Sequence, residues 1–135
     1  MSTPEGPTTC SVNARWDSGL RAVVQARQFE LVVDEPEAVG GTDSGPTPTE
    51  YLLASLASCY ALALAYSAAK RAVALPPFNV QAEGTYDGPS FSHIGLVVRM
   101  ADPPSELATL LERARRVCYV SNTLARDPGI EVTLA

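Results

Sequence analysis

Three cysteines carry the most versatile chemistry in this sequence. Cys59 lies in the middle of a long uncharged stretch, and Cys118 lies at the end of a predicted helix. As thiolates, such residues can act as nucleophiles or exchange with a disulfide. Packing explains each of them equally well, because unmodified cysteine is among the most frequently buried residue types. The spacing leaves open whether Cys59 and Cys118 meet. Cys10 lies in a polar N-terminal stretch and is expected to be incidental.

Other kinds of site chemistry have less support in the sequence. The single histidine, His93, lies in a predicted strand, where a half-buried structural role is a better interpretation than a Cys–His nucleophilic pair. There is no CxxC or HxxxH spacing, so we expect no metal site. Gly40, Gly41 and Gly45 lie in a loop that lacks the lysine of a phosphate-binding loop. We therefore expect neither a metal nor a nucleotide cofactor.

Composition narrows the class of protein further. The 135 residues carry a net charge of −5, with no basic stripe, so nucleic acid and anionic membrane surfaces are unfavourable partners. An odd number of cysteines without a secretory signal points to a reducing compartment, and we expect a cytoplasmic protein. The length fits a single domain over 1–135, with 1–10 as a flexible tail.

The cysteine at position 59 must be positioned by the uncharged stretch Tyr51–Ala69. The stretch is long enough to span a bilayer, but it is rich in Ala and Ser, and we interpret it as a buried central helix that ends near Val73. Its start has the pattern of a capping box. Thr47 is the expected N-cap, and Glu50 is expected to reach back to the N-cap amide.

Hairpins and helices are predicted around this central helix. Helical spacing of apolar residues predicts a second helix over Ser105–Val117, and a short one follows over Val120–Ala125. Six segments have strand character: Ser11–Trp16, Leu20–Gln25, Phe29–Asp34, Asn79–Tyr86, Phe91–Met100 and Ile130–Leu134. Because consecutive strands are joined by short turns, the order βββ-α-ββ-αα-β favours antiparallel sheets and the α+β class.

Two blocks of sequence resemble a known family. The segment GPTPTEYLLASLASC at 45–59 is similar to the GPTPxExLLxxLxxC segment of OsmC-like proteins. The segment RVCYVSNTL at 116–124 is similar to the C-x-V-S-x-x-L element around that family's second cysteine. The chain therefore resembles the OsmC/Ohr family of thiol-dependent hydroperoxide reductases. The resemblance implies an intertwined homodimer, with antiparallel sheets around two central helices and active sites built by both subunits.

The resemblance also implies a thiol cycle without a bound cofactor. Cys59 would reduce an organic hydroperoxide and become a sulfenic acid, and Cys118 would condense with it to a disulfide. An external dithiol or a lipoylated protein would then reduce the disulfide. A thiol in the middle of a helix needs a nearby cation to ionise, and Arg21 is the nearest match to the family's arginine, with Arg15 as competitor.

Glu50 has two possible roles under this resemblance. In the family, a glutamate orients the arginine, but Glu50 is one residue closer to the cysteine than in the best-characterised peroxidases. This offset suggests a less-characterised branch, and the capping box accounts for Glu50 without catalysis. Two alternatives to a peroxidase therefore remain. One is a dimer that binds a small apolar ligand or senses redox state, and the other is a structural dimer with packed cysteines.

Overall fold

The computed structural model describes residues 8–135, so most of the predicted flexible tail, residues 1–7, lies outside the described residues. Thr8 to Cys10 have no regular secondary structure. The chain divides into two compact units, one ending at Leu52 and the other beginning at Leu53. Both units combine helix with antiparallel strands, which confirms the predicted α+β class.

The first unit contains a three-stranded antiparallel sheet in the order β1 (Asn13–Ser18), β2 (Arg21–Ala26) and β3 (Phe29–Val33). The three predicted N-terminal strands are therefore confirmed, with small shifts of their ends. Gly19 forms the turn between β1 and β2 at φ 54°. A bulge between Trp16 and Ser18 precedes this turn.

The loop between β3 and the first helix closes on itself. The backbone N–H of Asp34 donates to the carbonyl of Pro46 at 3.1 Å, so the two ends of the loop meet. Gly45 permits this closure, because a Cβ atom at this position would lie 2.4 Å from the Val32 carbonyl oxygen. A short 3-10 turn, Glu37–Val39, lies within the loop.

Helix α1 (Pro48–Lys70) begins with the predicted capping box. The Glu50 carboxylate accepts from the Thr47 N–H at 2.9 Å, and the Thr47 hydroxyl accepts from the Glu50 N–H at 3.2 Å. Tyr51 fastens the first turn to the sheet, since its hydroxyl donates to the Val32 carbonyl at 2.8 Å. The sequence therefore predicted the start of α1 correctly.

The predicted end of α1 at Val73 is wrong by three residues. Ala72 adopts a left-handed conformation with φ 54°, and the Val73 N–H bonds back to the Ala68 carbonyl at 2.9 Å. The Ala72 N–H bonds to the Ala69 carbonyl at 3.1 Å. This pair of bonds is a Schellman C-cap, which usually has glycine at the left-handed position. Because Ala72 is not glycine, its residue type did not indicate this end of the helix.

The second unit contains the long hairpin of β4 (Phe78–Asp87) and β5 (Ser90–Met100), followed by α2 (Leu107–Val117) and α3 (Tyr119–Ala125). The predicted hairpin and both helices are confirmed, although α2 begins two residues later than the predicted Ser105. The core of this unit consists of buried residues from α1 and from α2 and its C-terminal end: Leu56, Ala63, Leu64, Ala68, Leu110, Ala114 and Cys118.

The predicted last strand, Ile130–Leu134, is wrong for the single chain. The segment has no regular secondary structure, and the side chains of Ile130 and Val132 are 90% and 93% exposed. Alternating β-branched residues favour an extended backbone, but a strand forms only where a neighbouring strand accepts its hydrogen bonds.

Helix α1 buries only one face in the single chain. Leu64 is fully buried, whereas Leu62 is 65% exposed and lies in line with exposed Ser58, Ala65 and Ala69. The helix is long and apolar enough to cross a membrane by length and composition, but core helices of water-soluble proteins pass the same test. A buried central helix is expected to be covered on every side, and this chain alone does not cover α1 in that way.

Candidate active site

Cys59 and Cys118 belong to the same core of the second unit. Cys118 is fully buried in the cluster, and the partly buried Cys59 on α1 packs against that cluster. Both are free thiols, as is the exposed Cys10. Spacing in the sequence could not show this, because two strands and a helix separate the two residues. The structure thus brings the two predicted site cysteines into one packed region.

The break between α2 and α3 holds Cys118 in place. Its backbone is extended, with φ −79° and ψ 105°, and it forms both the C-cap of α2 and the N-cap of α3. Its carbonyl accepts from the Asn122 N–H at 3.0 Å and from the Ser121 hydroxyl at 3.2 Å. The first turn of α3 therefore fixes the backbone that carries the buried thiol.

Tyr60 links the two cysteine-bearing helices and was missed by the sequence analysis. Its hydroxyl donates to the Leu111 carbonyl of α2 at 3.0 Å. Burial raises the pKa of Tyr60 above its usual value, and a negative charge on Cys118 raises it further. Tyr60 packs against the cluster that contains Cys118, and its phenol stays neutral at physiological pH. An aromatic residue beside the motif cysteine is the one signal that could have drawn attention to it.

A groove of about 350 Å³, lined mainly by apolar side chains, includes residues about one helical turn from each of the two cysteines. Leu56, which precedes Cys59 by about one helical turn, lines it together with Ser121, which follows Cys118 by about one turn. The exposed His93 also lines the groove, so the half-buried position expected for this residue is wrong. The remaining lining residues are Phe91, Ser92, Ile94, Leu96, Leu124 and Ala125. The groove offers a surface for a small apolar group.

The predicted arginine lies in the first unit and is held at two points. The Arg21 Nη1 forms an ion pair with Asp17, and its Nε donates to the Ser44 hydroxyl at 3.2 Å. Arg15 reaches the other oxygen of Asp17 at 3.2 Å but is 62% exposed, against 31% for Arg21. Hydrogen bonds from Arg21 and, to a smaller extent, Arg15 lower the pKa of Asp17, so it stays charged. Of the two arginines, Arg21 is the less exposed and forms contacts with two residues, Asp17 and Ser44.

The buried Asp34 was also missed by the sequence analysis. Its carboxylate accepts from the hydroxyls of Ser44 at 2.6 Å and Thr42 at 2.5 Å, and from the backbone N–H of Glu35 at 2.7 Å and of Ser44 at 3.1 Å. These bonds, led by those from the two hydroxyls, hold the pKa of Asp34 well below its ordinary value. An aspartate before a loop rich in Gly, Thr and Ser is the signal that could have indicated this arrangement.

The structure tests one of the two roles considered for Glu50. Its bonds with Thr47 confirm the capping box. A role in orienting the arginine stays a prediction. Within residues 8–135, no group of three or more His, Cys, Asp or Glu side chains is arranged to hold a metal ion.

The sequence model for the family described as "OsmC-like protein" matches residues 41–133. This chain belongs to the OsmC-like family. The match includes Cys59, Cys118 and Glu50, whereas Arg21 lies before the first matched residue. Among curated proteins, no sequence matches the chain.

Solved structures with the same OsmC-like fold come from several bacteria. A putative osmotic stress induced and detoxification response protein from Psychrobacter arcticus has a TM-score of 0.75 at 16% identity, over 92% of this chain and 94% of its own. A putative organic hydroperoxide resistance protein from Vibrio cholerae, with captopril bound in one of its active sites, has a TM-score of 0.69 at 23% identity, over 92% and 90%. A Legionella pneumophila organic hydroperoxide resistance protein has a TM-score of 0.65 at 19% identity, over 91% and 93%. At these identities the similarity shows the fold.

Proposed function

We propose that this protein is a thiol-dependent peroxidase that reduces organic hydroperoxides to alcohols in the cytoplasm. The Cys59 thiolate attacks the distal oxygen of the hydroperoxide and breaks the O–O bond. The released alkoxide takes up a proton to form the alcohol, and Cys59 becomes a sulfenic acid. The Cys118 thiol then condenses with the sulfenic acid, releasing water and forming a Cys59–Cys118 disulfide. An external dithiol, free or as a lipoylated protein, reduces the disulfide by exchange and is itself oxidised.

The observation that carries this proposal is the shared core cluster of the two cysteines. A partly exposed Cys59 can meet a substrate, while a buried Cys118 in the same packed region can resolve the product. The bordering apolar groove suits an organic peroxide better than hydrogen peroxide. Family membership and the hydroperoxide resistance proteins of the same fold add support. In this proposal Arg21 supplies the cation for the thiolate, and Glu50 is one of the residues that orient that arginine.

Counting free thiols after oxidation tests the cycle. Reduced protein receives one equivalent of cumene hydroperoxide or of hydrogen peroxide, and remaining thiols are measured after denaturation. We expect fast loss of two thiols per chain, selective for the organic peroxide. Cys59→Ser should abolish the loss, whereas Cys10→Ser, which removes an exposed thiol outside the cluster, should leave it unchanged. Normal peroxide turnover in the Cys59 variant would contradict the proposal.

A second candidate function is the binding of a small apolar ligand without peroxide turnover. It is favoured by the complete burial of Cys118, which packing alone explains, together with the apolar groove. In that case Cys59 would react slowly and without selectivity in the thiol count. A ligand that co-purifies with the protein, identified by mass spectrometry, would distinguish this function from the peroxidase.

The proposal includes a homodimer whose chains are intertwined and whose active sites draw on both subunits. Its support is the exposed face of α1 with Leu62, and the exposed apolar side chains of Ile130 and Val132. Apolar surface of this kind is typical of an interface between copies of a chain. In sedimentation equilibrium we expect a dimer, which Leu62→Glu should dissociate. Val39→Glu, at a side chain of similar exposure (61% against 65%), is the control. A monomeric wild-type protein would contradict the homodimer.

A further inference from the structure

Asp34 and Arg21 are linked through one hydroxyl group. The Ser44 Oγ donates to the Asp34 carboxylate at 2.6 Å and accepts from the Arg21 Nε at 3.2 Å. Asp34 is 1% exposed, so its negative charge is withdrawn from water and acts mainly on the groups that surround it. A hydroxyl that donates to a buried carboxylate becomes a stronger acceptor for a guanidinium, because hydrogen bonds in a chain polarise one another.

We propose that Asp34, acting through Ser44, is a positioning residue that sets the orientation of the Arg21 guanidinium. Its importance for catalysis rests on the proposed function, in which Arg21 supports the Cys59 thiolate.

One hydrogen bond does not fix the orientation of the Arg21 guanidinium. The ion pair with Asp17 engages Nη1 only, and a guanidinium held at one nitrogen can still turn about its long, flexible stem. The Ser44 bond engages Nε, the guanidinium nitrogen attached to the side-chain stem. The two bonds together therefore fix the plane of the guanidinium. The second terminal nitrogen takes part in neither bond. It can therefore present its N–H groups to an anion in a defined direction.

Asp17 alone would hold Arg21 less firmly, because its carboxylate also bonds to a second arginine. Its other oxygen accepts from Arg15, whose side chain is largely exposed. Ser44, by contrast, is held by its hydroxyl and by its backbone N–H, and both groups donate to Asp34. The closed loop from Asp34 to Pro46 adds a backbone bond of 3.1 Å at its ends. The anchor that depends on Asp34 is thus held by hydrogen bonds within its own loop.

Thr42 provides a matched control within the same loop. Its hydroxyl donates to Asp34 at 2.5 Å, and its N–H donates to the same carboxylate at 3.4 Å, in the way that Ser44 does. Arg21 bonds to Asp17 and Ser44, and Thr42 has no hydrogen bond to it. Thr42→Val therefore removes a hydroxyl bond to Asp34 of the same kind, without removing the bond to the arginine.

The experiment follows the Arg21 Nε–H directly by nitrogen-15 NMR, with the signal assigned by its loss in Arg21→Lys. In Ser44→Ala and Asp34→Asn, we expect the exchange of this proton with water to accelerate at least about tenfold, the factor that loss of a charge-assisted hydrogen bond implies. Ser44→Thr restores the hydroxyl at an exposed position and should restore slow exchange. Thr42→Val should leave the exchange rate close to that of the wild type. Equal acceleration in Thr42→Val and Ser44→Ala would show that Asp34 only supports the loop, and would overturn the inference.

Peroxide turnover of the same variants separates this inference from the proposed function. Ser44→Ala should lower kcat for cumene hydroperoxide, with recovery in Ser44→Thr. If Arg21→Lys and Arg21→Gln keep full turnover, the proposed role of Arg21 in the reaction fails, while the exchange rates still decide whether Asp34 positions it. Because Ser44 is exposed, Ser44→Ala gives a folded test protein even if Asp34→Asn does not.

Discussion

Replacing Cys118 by alanine separates the two oxidation steps, because its side chain is the expected partner of Cys59. The side chain is fully buried, so removing the sulfur atom should destabilise the protein by roughly 1–2 kcal/mol, as for a small deletion in a core. Serine is the poorer choice, since a buried hydroxyl without a partner costs about 1–3 kcal/mol more. A domain of ordinary stability, about 5–15 kcal/mol, tolerates the alanine variant.

The assay uses a Cys10→Ser background, so that Cys59 and Cys118 are the remaining thiols. After one equivalent of cumene hydroperoxide, the protein with both cysteines should lose both thiols and give no dimedone adduct. Cys118→Ala should lose its single thiol and carry the adduct at Cys59, since its sulfenic acid has no resolving partner. Mass spectrometry identifies the adduct, and urea unfolding shows that the variant is folded. Equal adduct yields with and without Cys118 would refute the pairing.

Three further predictions concern stability. Leu64→Ala, at a fully buried position, should lower the unfolding free energy by about 2–5 kcal/mol in urea, and a loss below 1 kcal/mol would contradict the described core. Ala72→Gly should raise it by about 1 kcal/mol, because glycine adopts the left-handed C-cap without strain, and unchanged stability would argue against that conformation. The raised pKa of Tyr60 stabilises the fold below pH ~10, and this contribution is lost as the pH rises through the folded-state value. Tyr60→Phe should therefore reduce the loss of stability between pH 9 and 11, and an unchanged pH dependence would contradict the burial of the phenol.

Local signals in the sequence predicted the start of α1 and the hairpins well. Thr47 and Glu50 form the capping box at the expected spacing, because the interaction involves one turn of chain. The end of α1 was not predictable in the same way. Ala72 takes the left-handed conformation without being glycine, so packing and the C-cap bonds, rather than residue type, stop the helix.

Contacts between distant segments could not be predicted from the sequence. Periodicity could not place Cys59 and Cys118 in one cluster, and it could not show that Ser44 contacts Arg21. The strand predicted over Ile130–Leu134 was wrong for a related reason. Residue type can favour an extended backbone, but it does not show whether a neighbouring strand is present. The family resemblance, rather than spacing, singled out the two cysteines.

The burial of Cys118 also makes the protein a reporter of its own fluctuations. An alkylating reagent can reach this thiol only when the core around the junction between α2 and α3 opens, whereas Cys10 is exposed and Cys59 is partly exposed in the closed protein. When opening is fast relative to the chemistry, the labelling rate of Cys118 gives the free energy of that local opening. The junction that fixes the thiol can thus be monitored under native conditions, without denaturant and without any added probe in the chain.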